Sequence, residues 1–255
     1  MMKEKRVVAF GFFDGVHRGH AELIKKTKEV SEKIGAVPTV LSFDIHPDNL
    51  VRNIKVPLIN SAEDRVDIIE NSVIFMHFNR EIMQIPWREF IVSLSADLNV
   101  AHYVVGHDFR FGWKGEGNAE KLCEYCAENG LGCNVIPQVL LEGEVISSTR
   151  IRELLMIGDI PQANRMLGHP YSFSETVRYG FQLGKKMGTP TINMQFAEDV
   201  LVPKHGVYIT KVFTEDGSAY PAVTNIGVRP TVSSEHRVSV ESYLVNFEGN
   251  LYERK

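Results

Sequence analysis

Residues 11–20 read GFFDGVHRGH, with three glycines and two histidines in ten positions. They follow the apolar, β-branched run RVVAF, where a strand would hand over to a helix. Gly11 and Gly15 let the backbone come close to a ligand, and the N-terminus of the following helix offers unpaired N–H groups to an anion. His17 and His20 are three apart, so within one helical turn their imidazoles face the same side. Two imidazole donors beside a helix N-terminus suit a phosphate whose negative charge grows during reaction. A glycine-rich turn with two solvated histidines has the same local pattern, so the case depends on what other strand ends contribute.

Two further stretches repeat the theme. ISSTRIRELL (146–155) is another candidate handover, where Ser147, Ser148 and Thr149 can cap a helix and donate hydroxyls to phosphate oxygens. Arg150 and Arg152 lie about 200° apart around a helix, so only one of them faces a ligand. GHDFRFG (106–112) follows the strand-like AHYVV. There Asp108 is placed to accept from ribose hydroxyls or a base, and Phe109 and Phe111 offer either stacking faces or core packing. Three strand ends with phosphate- or nucleotide-suited chemistry converge if they belong to one parallel sheet, because ligands of open α/β sheets bind at the carboxyl ends of the strands.

The rest of the first half supplies such a sheet. VPTVLSF (37–43), VIFMHF (73–78), AHYVVG (101–106) and GCNVIPQV (132–139) read as further strands. HAELIKKTKEVSEKIG places Leu23, Ile24, Thr27, Val30 and Ile34 on one helical face, with Gly35 as its cap. Ser61 opens SAEDRVDIIEN as an N-cap with an acidic residue three positions on, and Pro86 starts PWREFIVSLSADL. After about residue 168 the texture changes. GVYITKVF (206–213), AYPAVTNIG (219–227) and VSVESYLVNF (238–247) are β-branched and aromatic, with EDGS a hairpin turn at Asp216-Gly217. The expectation is a doubly wound α/β domain over 1–168, followed over 169–255 by a small antiparallel β-barrel.

Composition bounds the partners. A net charge of −4 over 255 residues argues against a chain that coats nucleic acid or an anionic membrane. No run is long and apolar enough for a membrane span, and the start of the chain lacks the apolar region of a signal peptide. Cys123, Cys126 and Cys133 are the only cysteines. The reading is a helix with thiols at i and i+3 and a cysteine opening the next strand, structural rather than redox or zinc chemistry, in a cytoplasmic protein without a disulfide framework.

Taken together, GFFDGVHRGH, GHDFRFG and ISSTRIRELL resemble the adenylyltransferase half of the prokaryotic bifunctional riboflavin kinase/FAD synthetase family. GKKMGTPTIN (184–193), GVY (206–208), NIGVRPT (225–231) and VESYLVNFEGNLY (240–252) resemble its riboflavin kinase half. For the first half the resemblance implies AMP transfer from ATP to FMN, giving FAD and pyrophosphate with Mg²⁺. His17 and His20 would stabilise the reacting phosphate. The backbone at Gly11 and Phe13, with Asp14, Gly106, Asp108, Ser147, Ser148 and Thr149, would bind ATP, while Arg152 would hold the departing phosphates. FDIHP (43–47) places His46 and Pro47 near the flavin phosphate, and Phe111 at the flavin or its pocket wall. For the second half the resemblance implies phosphorylation of riboflavin by ATP, with Gly184 and Lys185 binding ATP, Thr191 and Asn193 holding Mg²⁺, and Glu241 as general base. The family's kinase half continues past the Leu-Tyr at 251–252 into another strand and a helix, without which a sheet edge would lie uncovered. A monofunctional FAD synthetase with a vestigial kinase half, a nucleotidyltransferase acting on another acceptor, and a flavin- or nucleotide-binding regulator without turnover are the competing readings. Oligomeric state is not encoded in these motifs.

Overall fold

The computed structural model describes residues 4–70, 72–179, 190–228 and 238–255. Gly184 and Lys185 lie outside them. Along the first half run β1 (Arg6–Phe10), α1 (Arg18–Ile34), β2 (Val37–Phe43), α2 (Pro47–Val51), α3 (Ala62–Ile69), β3 (Ser72–Met76), α4 (Arg80–Gln84), α5 (Trp87–Leu98) and β4 (Val100–Gly106). They are followed by the two-residue strands β5 (Arg110–Phe111) and β6 (Gly117–Asn118), α6 (Ala119–Glu128), β7 (Gly132–Ile136), the short pair β8 (Leu140–Leu141) and β9 (Glu144–Val145), α7 (Ser148–Ile157) and α8 (Ile160–Leu167).

β1, β2, β3, β4 and β7 form one parallel sheet in the order β3-β2-β1-β4-β7. Successive β1 side chains alternate between its faces. Val7 and Ala9 pack with Leu23 and Ile24 of α1 on one side. Val8 and Phe10 pack with Ile91 and Leu94 of α5 and Leu122 of α6 on the other. Burial on both faces explains why the inner strands read as continuous apolar runs. The α1 face differs by one position from the periodic reading: Ser31 is buried, and Ile34 is exposed at the helix end. Strand order reverses between β1 and β4, so the crevice of this sheet opens at their carboxyl ends.

The second half contributes β10 (Thr191–Met194), β11 (Gly206–Phe213), β12 (Ala219–Val228) and β13 (Val238–Leu244), an antiparallel sheet in the order β10-β13-β12-β11. Gly217, with φ of 82°, makes the β11–β12 turn at the expected Asp-Gly. Ala222, Ile226, Val240 and Leu244 point into the core, whereas Val207, Ile209 and Phe213 of edge strand β11 stand exposed, Ile209 by 95%. Residues 199–204 stitch the two halves together. Leu58 N–H donates to the Asp199 carbonyl and Leu201 N–H to the Leu58 carbonyl, both at 2.7 Å, and Leu201 enters the apolar cluster of α7 and α8.

The cysteines correct an expectation. Cys123 and Cys133 are joined as a disulfide, with Cα atoms 5.4 Å apart, because α6 returns directly into β7 and brings the two positions side by side. The helical neighbour Cys126 stays free and buried, and its burial raises the thiol pKa to about 11. No disulfide and no cross-helix pairing of this kind follows from the i, i+3 spacing.

Candidate active site

The loop after β1 is built on unusual backbone. Phe13, Gly15 and Val16 all have positive φ, at 57°, 80° and 41°. A β-branched residue such as Val16 adopts that region only where its surroundings hold it there, a form of local strain that concentrates at functional sites. At Gly15 a Cβ would come within 2.9 Å of Ile59 Cδ1, so glycine is needed for close packing as well as for φ.

The loop delivers His17 to the N-cap of α1, where its Nδ1 accepts a hydrogen bond from His20 N–H at 3.3 Å. An accepting Nδ1 carries no proton, so the neutral ring is the Nε2–H tautomer and donates from Nε2. The two imidazoles stack with centroids 3.7 Å apart and planes 14° apart. Burial holds both neutral. It lowers the His17 pKa to about 4, and with help from His17 and Arg65 lowers that of His20 well below the ordinary value. Gly19 leaves room for this ring, since a Cβ there would lie 3.1 Å from His17 Cε1. The neutral pair can therefore offer N–H donation rather than two resting positive charges.

Around it stand the other strand-end segments. Asp108 is 83% exposed at its side chain, and its charge favours protonation of His17. Gly106 is tight, with Asp108 Oδ1 3.1 Å from where a Cβ would be. On the β2 side, His46 caps α2 by accepting from Asp48 N–H at 3.1 Å, Pro47 opens that helix, and the His46 ring meets Phe12 edge-on at 4.7 Å. From the far end of the half, Ser148 Oγ donates to the Asp14 carbonyl at 2.8 Å, docking the α7 N-terminus on the glycine-rich loop. Ser147 accepts from Arg150 N–H as the α7 N-cap, and Thr149 is exposed.

Three side chains, those of Arg152, Asp14 and Phe111, are turned away from the surface that the motif reading gave them. Arg152 points inward, pairing with Asp14 at 2.5 Å and donating from Nε to the Pro57 carbonyl. Arg150 is the partner on the opposite helix face, held by Glu144 and Glu153. Asp14 is 1% exposed and accepts on its other oxygen from the amides of Ile59 and Asn60. Burial raises its pKa while Arg152 and those amides oppose the rise. Phe13 has no exposed surface, so only its backbone is available. Phe111 is buried against Trp87, Phe90 and Phe109 as a core residue. In each case packing competes with ligand contact, and a motif states residue type without stating direction. The Asp14–Arg152 pair, spanning 138 positions, left no trace in the sequence that spacing could reveal, and neither did Arg65 or Ser42, whose hydroxyl donates to the Phe12 carbonyl at 2.6 Å.

In the second half, register places Thr191 and Asn193 of β10 on one face, with Asn193 opposite Glu241 of β13 and Glu241 opposite Asn225 of β12. Ile192, Met194, Val240 and Ser242 take the opposite face. A hydroxyl, amide oxygens and a carboxylate gathered on one face are hard oxygen donors of the kind Mg²⁺ accepts alongside phosphate oxygens. Among the described residues there is no cluster of three His, Cys, Asp or Glu that would hold a metal without such help, and no helix long and apolar enough to cross a membrane.

Comparison with known proteins agrees with this division. The family model described as FAD synthetase matches residues 1–150, and that described as riboflavin kinase matches residues 167–255. A bifunctional riboflavin kinase/FMN adenylyltransferase of Listeria monocytogenes is 33% identical over 253 residues, covering 97% of this chain and 80% of its own length. That of Bacillus subtilis is likewise 33% identical, with the same coverages, and that of Escherichia coli is 34% identical, covering 99% of this chain and 82% of its own. A solved Streptococcus pneumoniae structure, described as a macrolide-efflux protein, is 24% identical with a TM-score of 0.86. It covers all of this chain and 84% of that one, a likeness of fold.

Proposed function

Because the chain belongs to the bifunctional riboflavin kinase/FMN adenylyltransferase family, we propose that it makes FAD in two steps, phosphorylating riboflavin in residues 169–255 and adenylylating FMN in residues 1–168. The observation that carries the second step is the stacked, neutral His17–His20 pair at the α1 N-terminus, beside the point where strand order reverses. A phosphate oxygen of FMN attacks the α-phosphorus of ATP, the bond from that phosphorus to the pyrophosphate oxygen breaks, and pyrophosphate leaves. His17 Nε2–H donates to the phosphate oxygen on which charge accumulates, and backbone amides from Gly11 to His17 line the approach. The α7 N-terminus, docked through Ser148, faces the departing pyrophosphate with its free amides and with the hydroxyls of Ser147 and Thr149. Orientation and fixed dipoles supply the rate, so no covalent intermediate is required.

In the kinase half, Glu241 is placed to accept the proton of the riboflavin 5′-hydroxyl as it attacks the γ-phosphorus of a second ATP, releasing ADP. Thr191 and Asn193 would hold Mg²⁺, which when bound neutralises phosphate charge. Free ATP and flavin as substrates fit a cytoplasmic setting. Chromatography of reactions containing ATP and Mg²⁺, run once with FMN and once with riboflavin, tests the reading. The expected result is FAD from both. His17→Ala lowers FAD formation from FMN by about 10²–10³-fold, whereas Glu241→Gln abolishes FMN formation from riboflavin and spares the FMN reaction. Loss of both activities in either variant would refute separate sites.

A further inference from the structure

Arg65 of α3 heads the fully buried side chains by size, with no exposed surface among the described residues. Its Nη1 donates to the Phe12 carbonyl at 2.9 Å, Ser42 Oγ at 3.0 Å and the Phe43 carbonyl at 3.2 Å. The guanidinium lies against two rings, 5.0 Å from the centre of Phe12 and 4.9 Å from that of Phe75. Nε and Nη2 have no hydrogen-bond partner among the described residues. As a device for stability this is poor, because a buried charge with unmet donors is costly and an apolar side chain would fill the space better.

Its position supplies the reason. Phe12 belongs to the loop that carries His17, and Phe43 begins the loop that carries His46. We propose that Arg65 is a positioning residue for adenylyl transfer, clamping the end of β1 to the end of β2. The clamp sets the separation of the two loops, and with it the distance between the α-phosphorus of ATP and the attacking flavin phosphate. The inference rests on the adenylyltransferase reading of these loops. Its charge reaches both of them, since Arg65 contributes to lowering the pKa of His20 on one side and of His46 on the other.

A positioning role separates turnover from binding. In the full chain, Arg65→Met should lower kcat for FAD formation on the order of 10²-fold, the scale of a small misplacement of reacting groups. KM for ATP and FMN should stay within about threefold, because the groups that touch the substrates are kept, and riboflavin phosphorylation should be unchanged, because neither loop supplies a residue assigned to that step. Arg65→Lys should recover at least about tenfold, because an ammonium offers three donors to the same three acceptors. Hydrogen exchange, which needs no activity, should show faster amide exchange in Arg65→Met at 11–17 and 43–47 with α6 and β7 unaltered. An unchanged kcat, a raised KM for FMN at constant kcat, a parallel fall of both activities, or unchanged exchange in the two loops would each overturn the proposal. If the wild-type chain forms no FAD at all, the functional reading fails, and the exchange comparison still decides whether Arg65 clamps the loops.

Discussion

The sharpest quantitative consequence of the site concerns His17. Its pKa falls from 6.5 to about 4 in the folded protein because the ring is buried, whereas the unfolded chain restores the ordinary value. Between those limits the unfolded state binds more protons, so stability falls as pH falls. The contribution is intact above about pH 6.5, and its full loss, about 3 kcal/mol, is reached only below about pH 4. From pH 7 to pH 5 the linkage integral for this one group is about 2 kcal/mol. His17→Asn removes the titration but keeps a good N-cap acceptor for His20 N–H. Urea unfolding of the wild type and His17→Asn at pH 7 and pH 5, followed by tryptophan fluorescence and circular dichroism, isolates the difference. The wild type should lose about 2 kcal/mol more than the variant over that interval. Equal losses would mean that His17 titrates normally in the fold, and the account of a neutral, N–H-donating pair would fall with it.

Two further perturbations follow from the same loop. Asp14→Asn leaves Arg152 buried beside a neutral partner, and denaturant unfolding should show a loss of about 3–5 kcal/mol, accompanied by weaker docking of α7. Gly15→Ala puts a Cβ at φ of 80° and 2.9 Å from Ile59. It should cost about 1–3 kcal/mol and slow FAD formation more than riboflavin phosphorylation when both are assayed in one preparation.

Where the sequence was informative, the physics was local. The inner strands β1, β2 and β4 were visible because burial on both faces leaves unbroken apolar runs. The helix that follows β1 was visible because a single apolar stripe repeats at helical spacing. His17 and His20 could be placed together from three residues of spacing, since one helical turn determines which side both face. The four-residue β10 and the short α2 and α4 gave no period to read, being about one turn or one strand edge in length. Direction over long separations was not legible. Arg152 and Phe111 carry types suited to phosphate and flavin, yet one finds Asp14 and the other finds Trp87 and Phe90. Such choices are made by tertiary packing, as is the clamp by Arg65 across 53 positions to Phe12.

The inward turn of the charged residues explains how the site attracts anions while its imidazoles stay neutral. Buried near the glycine-rich loop are two guanidiniums, Arg65 and Arg152, and two carboxylates, Asp14 and Asp64. Both guanidiniums are fixed in a region where water screens little. Exposed arginines would bind ATP, pyrophosphate and stray anions alike, and would gain as much in the ground state as in the transition state. Fixed guanidiniums behind the backbone, combined with amides and His17 Nε2–H in front, instead act most strongly where new negative charge accumulates. The same buried charge helps keep His20 and His46 unprotonated. The phosphates of ATP favour a protonated imidazole beside them, so ATP binding near pH 5 should be accompanied by proton uptake at His17. Isothermal titration in buffers of different ionisation enthalpy measures that uptake, and an absence of buffer dependence would place the phosphates away from this histidine.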